Sequence, residues 1–247
     1  MKTLAGKIAL VTGSSGGLGK EIALALAREG ARVAIHFYRD QKAADETLAQ
    51  LRPIQSDAIA VPADIRNWSH AEKLIDAVGA HFGRLDILVN NAGSFLRKPL
   101  SRTTVEEWAD QIESNLYGTF YCCRAALPRM REQGYGRIIN IALANADRVH
   151  AYKEVAAHGI AKTGVLILTR SLALEEAAYG ITVNAISPGL MDNGRLPARA
   201  IEEQSAAVPM KRLGTWKDVS GAILYLVSDQ ARYITGANIV VSGGWGV

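Results

Sequence analysis

The chain has 247 residues, of which 49% are hydrophobic and 21% charged, with a formal net charge of +4 at pH 7. This length suits one α/β domain with a sizeable core. No apolar run reaches the roughly 18 residues of a membrane span, and the N-terminus lacks a signal-peptide pattern, so we expect a cytoplasmic protein. The scattered Lys and Arg residues favour neither a nucleic-acid partner nor a membrane partner.

Seven apolar, β-branched runs alternate with helical patterns along the chain. The first strand is predicted at 8–11 and is followed by a helix at about 19–29. The other strands are predicted at 32–36, 58–61, 85–89, 136–141, 181–186 and 238–241. Because these runs are continuously apolar, we expect a parallel sheet covered on both faces by crossover helices. The pattern predicts a single-domain, doubly wound, Rossmann-type α/β fold.

One long stretch, at about 189–213, has no clear periodicity and contains Pro197 and Pro209. Loops of this length in a compact domain are usually functional, so we expect a substrate lid within the single domain.

Cys122 and Cys123 are the two cysteines of the chain, and they are adjacent. A disulfide between neighbours is strained, and neither residue belongs to a C-x-x-C motif. We therefore expect two reduced, half-buried helix residues and no metal site.

A glycine-rich turn follows the first strand, where residues 12–19 read TGSSGGLG. Glycines let the backbone approach a pyrophosphate, and the N-terminus of the next helix offers oriented N–H groups to its negative charge. The strand–turn–helix context that the motif needs is present. We predict a dinucleotide site whose loop residues are Gly13, Ser15, Gly17, Leu18 and Gly19.

The end of the second strand distinguishes an NAD site from an NADP site. An NAD site needs a carboxylate there to accept hydrogen bonds from the ribose 2′-OH, but this chain has Phe37 at that position. Arg39, beside Tyr38, can bind a 2′-phosphate bidentately, although Asp40 follows it. The sequence therefore favours NADP(H) over NAD(H).

These motifs extend along the whole chain. The T-G-x-x-x-G-x-G turn, N-N-A-G at 90–93, His158 four residues before Lys162, and P-G at 188–189 together resemble the short-chain dehydrogenase/reductase family, especially its 3-oxoacyl-carrier-protein reductase-like members. The resemblance implies an oxidoreductase that acts on a small carbonyl or alcohol, as a homotetramer or homodimer. It also implies that Asp64 bonds the adenine amino group, and that further cofactor contacts lie at Ile65, Asn91, Ala92, Gly93, Lys162, Pro188 and Gly189.

The resemblance further implies a catalytic set of Asn, Ser, Tyr and Lys, of which two members are present. Asn115 matches the asparagine and Lys162 the lysine, whereas His158 stands at the tyrosine position and Leu143 at the serine position. His158 precedes Lys162 by four residues, so both side chains lie on one helix face. The predicted catalytic residues are therefore Asn115, His158 and Lys162.

The role of His158 is open at this stage. An imidazolium is a competent general acid with a pKa near 6.5, and a neutral imidazole is a base toward an alcohol. Alternatively, Tyr152 or Asp147 replaces the missing acid, because the segment between 143 and 158 is polar and about two residues longer than the resemblance implies.

Three functions follow from these alternatives. The first is an NADP(H)-dependent carbonyl reductase or alcohol dehydrogenase with an atypical active site. The second is a catalytically impaired NADP(H)-binding subunit or sensor, and the third is a family member with non-redox chemistry. The arginines that the resemblance implies for carrier-protein docking are replaced by Gly134 and Tyr179, so an acyl-carrier substrate is not favoured.

Overall fold

The computed structural model describes residues 2–246. Seven strands within these residues form one parallel sheet in the order β3-β2-β1-β4-β5-β6-β7. Its strands are β1 Ile8–Val11, β2 Arg32–Phe37, β3 Ile59–Pro62, β4 Ile87–Asn90, β5 Gly136–Ile141, β6 Ile181–Pro188 and β7 Asn238–Val241. The chain order reverses between β1 and β4, which is where doubly wound sheets bind their ligands. The predicted Rossmann-type fold is confirmed.

Eight α-helices cover the sheet in residues 2–246: α1 Gly17–Arg28, α2 Gln41–Leu51, α3 Trp68–Phe82, α4 Val105–Ile112, α5 Gly118–Gln133, α6 Ala156–Glu176, α7 Ala198–Ala207 and α8 Trp216–Val227. A π-helical turn at Glu113–Tyr117 joins α4 to α5. One core cluster contains α1, α2 and α8, and a second contains α3, α5 and the end of α6. The two clusters lie on opposite faces of the sheet.

The alternation within β1 explains why its sequence is apolar at every position. Ala9 and Val11 belong to the first cluster, whereas Ile8 and Leu10 belong to the second. All four side chains are 1% exposed or less. Complete burial of an aliphatic side chain stabilises a fold by about 1.5–3 kcal/mol, so both faces of this strand contribute to the core.

The stretch at 189–213 differs from its prediction, because it contains helix α7. None of the residues of α7 is buried, and Ile201 is its one large apolar residue, so the sequence gives little sign of a buried helix face. The base of the segment is fixed by Gly214, whose N–H donates to the Leu190 carbonyl and whose own carbonyl accepts from Asp192, both at 2.9 Å. The role of the segment as a lid stays a prediction.

Cys122 and Cys123 are more deeply placed than expected. Both side chains of α5 are fully buried as free thiols, not half-buried. Burial raises the pKa of both thiols, that of Cys123 to about 12. Within residues 2–246 no cluster of His, Cys, Asp and Glu has the arrangement of a metal site. Across the same residues, no helix combines the length and apolar character that a membrane crossing requires.

Candidate active site

A cleft of about 460 Å³ opens at the carboxyl ends of β1 to β4. The predicted cofactor residues that line it are Gly13, Ser15, Tyr38, Arg39, Asp64, Ile65, Asn91, Ala92 and Gly93. We call the part around Tyr38, Arg39 and Asp64 the outer end, and the part around Gly93 and Ser94 the inner end. Asp110 and Ser114, from the α4–α5 region, complete the wall.

The glycine-rich turn at the cleft is shaped by close backbone approaches. Gly13 has a φ of +61°, and a Cβ on it would lie 2.8 Å from the Cα of Ala92. A Cβ on Gly19 would overlap the carbonyl oxygen of Gly13. The Asn91 side chain donates from Nδ2 to the carbonyls of Thr12 and Gly13, both at 3.0 Å, and so holds the turn against β4.

Helix α1 begins at this turn without a side-chain cap, because its N-cap residue is Gly16. The caps of α2 and α3, by contrast, are Asp40 and Asn67, whose side chains accept hydrogen bonds from first-turn N–H groups. The first-turn N–H groups of α1 therefore lack a side-chain acceptor, and the helix dipole adds positive potential there. This arrangement suits the pyrophosphate that the sequence predicts.

His36 lies beneath the turn and was not singled out as a site residue in the sequence. Its Nδ1 accepts from the Gly13 N–H at 2.9 Å, and its Nε2–H donates to the Ala63 carbonyl at 3.0 Å. These two bonds require the neutral ring, and burial lowers the pKa of His36 accordingly. The sequence signal was one polar residue in the apolar run that follows Arg32 in β2.

The outer end carries two guanidinium groups around one phenol. The Tyr38 hydroxyl accepts from Arg39 Nη2 at 2.6 Å and from Arg66 Nη2 at 2.8 Å. Hydrogen bonds from Arg66 hold the pKa of Asp64 below its usual range. Asp40 accepts from the Ala43 N–H as the α2 cap, so its carboxylate is engaged there.

The inner end is organised by the carbonyl of Ser94. Asn115 donates to it from Nδ2 at 2.9 Å, and His158 contacts it through Nδ1 at 3.2 Å. Asn115 lies in the π-helical turn, a feature that is frequent at functional sites. The Asn115 Oδ1 is buried without a hydrogen-bond partner among residues 2–246. Two of the three predicted catalytic residues therefore meet at one backbone oxygen.

The surroundings of His158 favour its neutral imidazole form. It is 8% exposed, and the ring of Phe95 packs edge-on against it with centroids 5.1 Å apart. Burial, and then the Lys162 cation, lower the pKa of His158 to about 3. Because the Ser94 carbonyl can only accept, Nδ1 carries the ring proton and the lone pair is on Nε2. The imidazolium that the sequence allowed as a general acid is therefore disfavoured at pH 7.

Lys162 lies one helical turn after His158 in α6 and is 5% exposed. Its Nζ donates to the Ile141 carbonyl at 2.7 Å, and burial lowers its pKa to about 8. Leu143, at the serine position, packs in a small apolar cluster with Ala142, Ala146, Val165, Leu166 and Ala185. The serine position thus offers no hydroxyl to a substrate.

The two alternative acids differ in burial. Asp147 is exposed to solvent. Tyr152 packs its ring on Gly159, where a Cβ would lie 2.5 Å from Tyr152 Cε2, and its hydroxyl is buried without a hydrogen-bond partner among residues 2–246. Within the described residues, no hydrogen bond joins either side chain to His158.

The remaining predicted cofactor residues do not line the cleft. Gly17 and Leu18 lie in the first turn of α1, and Leu18 packs against the core. Pro188 ends β6, and the N–H of Gly189 donates to the Val241 carbonyl at 3.0 Å. Gly19 is buried beneath the turn.

The family model described as enoyl-(acyl carrier protein) reductase matches residues 13–246. The chain belongs to the short-chain dehydrogenase/reductase family. It is 37% identical to the 3-oxoacyl-(acyl-carrier-protein) reductase FabG of Staphylococcus aureus over 241 residues, covering 96% of this chain and 97% of that protein. It is also 37% identical to the 3beta-hydroxysteroid dehydrogenase 1 of Eggerthella lenta over 247 residues, covering 98% and 94%.

Solved structures agree with this assignment. A protein of Agrobacterium tumefaciens, provisionally assigned as a gluconate dehydrogenase, superposes with a TM-score of 0.91 at 36% identity, over 98% of this chain and 96% of that one. Family membership makes the chain an oxidoreductase of this family and implies a nicotinamide cofactor. The names of these relatives refer to a 3-oxoacyl-carrier-protein, a 3beta-hydroxysteroid and gluconate, so the relatives share the family and differ in the compound named.

Proposed function

We propose that the chain is an NADP(H)-dependent oxidoreductase that acts on a small carbonyl or alcohol, with neutral His158 at the acid/base position. One observation carries this proposal. Asn115 and His158 meet at the Ser94 carbonyl, at the inner end of a cleft whose outer end presents Arg39. The cleft thus offers a group for a 2′-phosphate at its outer end, and His158, a proton acceptor for a substrate hydroxyl, contacts the Ser94 carbonyl at its inner end.

The residues of the cleft fit a dinucleotide. The uncapped first turn of α1 suits the diphosphate, and a side chain at Gly13 or Gly19 would collide with the neighbouring backbone. Arg39 has no acidic partner among residues 2–246, since its one hydrogen bond goes to the Tyr38 hydroxyl. When bound, the nicotinamide supplies or accepts the hydride. The absence of a carboxylate at Phe37 favours the 2′-phosphorylated form.

The neutral ring of His158 suits the oxidation of an alcohol, because it can accept the hydroxyl proton. With its Nδ1–H held by the Ser94 carbonyl, the ring offers the Nε2 lone pair to a hydroxyl hydrogen of an alcohol. The Lys162 cation opposes a proton on this ring. As Lys162 loses its proton near pH 8, that opposition ends. We therefore expect alcohol oxidation to accelerate as the pH rises through about 8.

The decisive experiment measures NADP⁺ reduction with a panel of alcohols and NADPH oxidation with the matching ketones. We expect His158→Ala to lower kcat/KM by about 100-fold or more, the usual contribution of a positioned acid or base. His81→Ala is the matched control, because His81 is exposed and lies on α3. Turnover that is unchanged in His158→Ala would contradict the proposal.

A second function is favoured by the apolar packing of Leu143 and the low pKa of His158. The packing of Leu143 and the low pKa of His158 both weaken acid–base catalysis, and neither changes the residues of the outer end. A subunit or sensor that binds NADP(H) without turnover needs only the outer end. Thermal stabilisation by NADPH with no turnover of any panel member would identify that function. Turnover without a change in cofactor absorbance would instead identify non-redox chemistry.

The assembly state belongs to the same proposal. We propose a homotetramer or homodimer, as the family resemblance implies. Light scattering coupled to size exclusion measures the mass directly, and a mass near that of one 247-residue chain would contradict it.

A further inference from the structure

We propose that Arg66 is a positioning residue for selection of the 2′-phosphate, and that it acts through Tyr38 on Arg39. This inference rests on the proposed preference for NADP(H). Arg66 lies outside both the glycine-rich turn at 12–19 and the N-N-A-G sequence at 90–93. The inference gives this residue a part in discriminating NADPH from NADH.

The contacts of Arg66 leave its guanidinium little freedom. Nε and Nη2 donate to the two oxygens of Asp64 at 2.9 and 2.7 Å, Nη1 donates to Asp110 at 3.0 Å, and Nη2 also donates to the Tyr38 hydroxyl at 2.8 Å. The side chain is 30% exposed. Every guanidinium nitrogen of Arg66 therefore has a partner within the cleft wall.

The two arginines differ in whether a carboxylate neutralises their charge. Arg66 is paired with the carboxylates of Asp64 and Asp110, so its own charge is compensated. Arg39 has no such pair in the described part of the chain, and its hydrogen bond to Tyr38 leaves other N–H donors unused. Arg39 is thus the cation that a 2′-phosphate would meet, and Arg66 is part of the support.

Tyr38 connects Arg39 to Arg66. Its hydroxyl accepts from both arginines, and its ring lies 4.4 Å from the Arg39 guanidinium carbon and 5.1 Å from that of Arg66. Tyr38 is 43% exposed, so packing alone does not fix it. The bond from Arg66 orders the phenol, and the phenol in turn orders Arg39. A preordered Arg39 loses less side-chain entropy when it binds a phosphate.

The test uses two probes that differ only in the phosphate concerned, adenosine 2′,5′-bisphosphate and 5′-AMP, with dissociation constants from calorimetry. For the unmodified chain we expect the bisphosphate to bind about tenfold or more tightly, as a charge-assisted hydrogen bond provides. We expect Arg66→Gln to reduce that ratio by about fivefold. In a Tyr38→Phe background, Arg66→Gln should leave the ratio unchanged, because the connection through the hydroxyl is already gone.

Arg52→Gln is the matched control, because Arg52 is exposed at the end of α2. An unchanged ratio in Arg66→Gln overturns the inference, as does equal weakening of both probes, which would place Arg66 with the adenine alone. An equal loss of the ratio with and without the Tyr38 hydroxyl also overturns it, because Arg66 would then contact the phosphate directly. If the unmodified chain shows no preference for the bisphosphate, the proposed NADP(H) preference fails, and this inference fails with it.

Discussion

The outer and inner ends of the cleft are built in different ways. At the outer end, charged and polar side chains are hydrogen-bonded to one another. The Arg66 guanidinium, for example, donates to Asp64, Asp110 and Tyr38. At the inner end, His158 packs on Phe95 and Leu143 on an apolar cluster, with one carbonyl as the shared polar contact. We propose the outer end for the phosphate of the nicotinamide cofactor that family membership implies. The inner end contains His158 and Leu143, the two positions at which the family resemblance predicts a tyrosine and a serine.

The largest expected effect concerns the glycine-rich turn that both ends of the cofactor cleft depend on. In Gly19→Ala the new methyl group would overlap the Gly13 carbonyl oxygen and approach Asn91 Nδ2 at 2.6 Å. The turn must shift, so we expect the dissociation constant for NADPH to rise by about 100-fold, equivalent to about 2.7 kcal/mol. Gly221→Ala is the control, since Gly221 is exposed in α8 with open space around it. Equal binding by both variants would show that the turn tolerates a side chain.

The next prediction restores the family pattern at the inner end. We expect the double change Leu143→Ser with His158→Tyr to raise ketone reduction by NADPH at least tenfold, because it supplies a phenol donor near Lys162 and a hydroxyl to orient the carbonyl. Initial rates across the ketone panel measure the effect, with the single changes as controls. No gain in any ketone, in a variant that still binds NADPH, would mean that the longer loop between 143 and 158 also blocks the site.

Low pH should destabilise the fold, because a buried histidine lies near each end of the cleft. His36 and His158 have folded-state pKa values below 6.5, so below pH 6.5 the unfolded chain binds protons that the folded chain does not. The free energy of unfolding is therefore expected to fall as the pH drops below 6.5, by up to about 1.4 kcal/mol per unit for each ring.

Urea unfolding between pH 7 and 5 measures this dependence. His158→Phe should remove the part of the pH dependence that comes from that ring. A flat profile for the unmodified chain would show that neither ring is held neutral.

The smallest expected effect concerns Tyr152. Its hydroxyl is buried without a partner among residues 2–246, so Tyr152→Phe should change the free energy of unfolding by less than about 1 kcal/mol, toward stabilisation. Turnover should stay unchanged. A large fall in kcat would instead identify Tyr152 as the replacement acid, and the inner end would then have a further polar group.

Much of the fold could be predicted from the sequence because burial on both faces makes each strand continuously apolar. The glycine-rich turn and the neighbourhood of Tyr38 and Arg39 were predictable for a similar reason, since local backbone constraints select particular residues. Helix α7 was missed because it buries none of its residues and has one large apolar residue, Ile201, which is too few to set a helical spacing.

The contacts of His36, Ser94 and Arg66 could not be predicted. Each joins elements that are distant along the chain: His36 bonds Gly13 and Ala63, and Arg66 reaches Asp110. The protonation of His158 was open for the same reason. The sequence shows that Lys162 is near, but not that burial has the larger effect on the pKa of the ring.

The π-helical turn at Glu113–Tyr117 has a consequence for how this site could change by deletion. A π turn contains one residue more than a regular α-helical turn. Loss of a single residue there would leave an uninterrupted helix from α4 into α5, at little cost to the helix itself. Each residue of an α-helix turns by about 100°, so the α4 side chains would rotate relative to Asn115. Asp110 would turn away from Arg66, and Gln111, whose side chain donates to the Ser94 hydroxyl, would turn away from Ser94, so one deletion would alter both ends of the cleft.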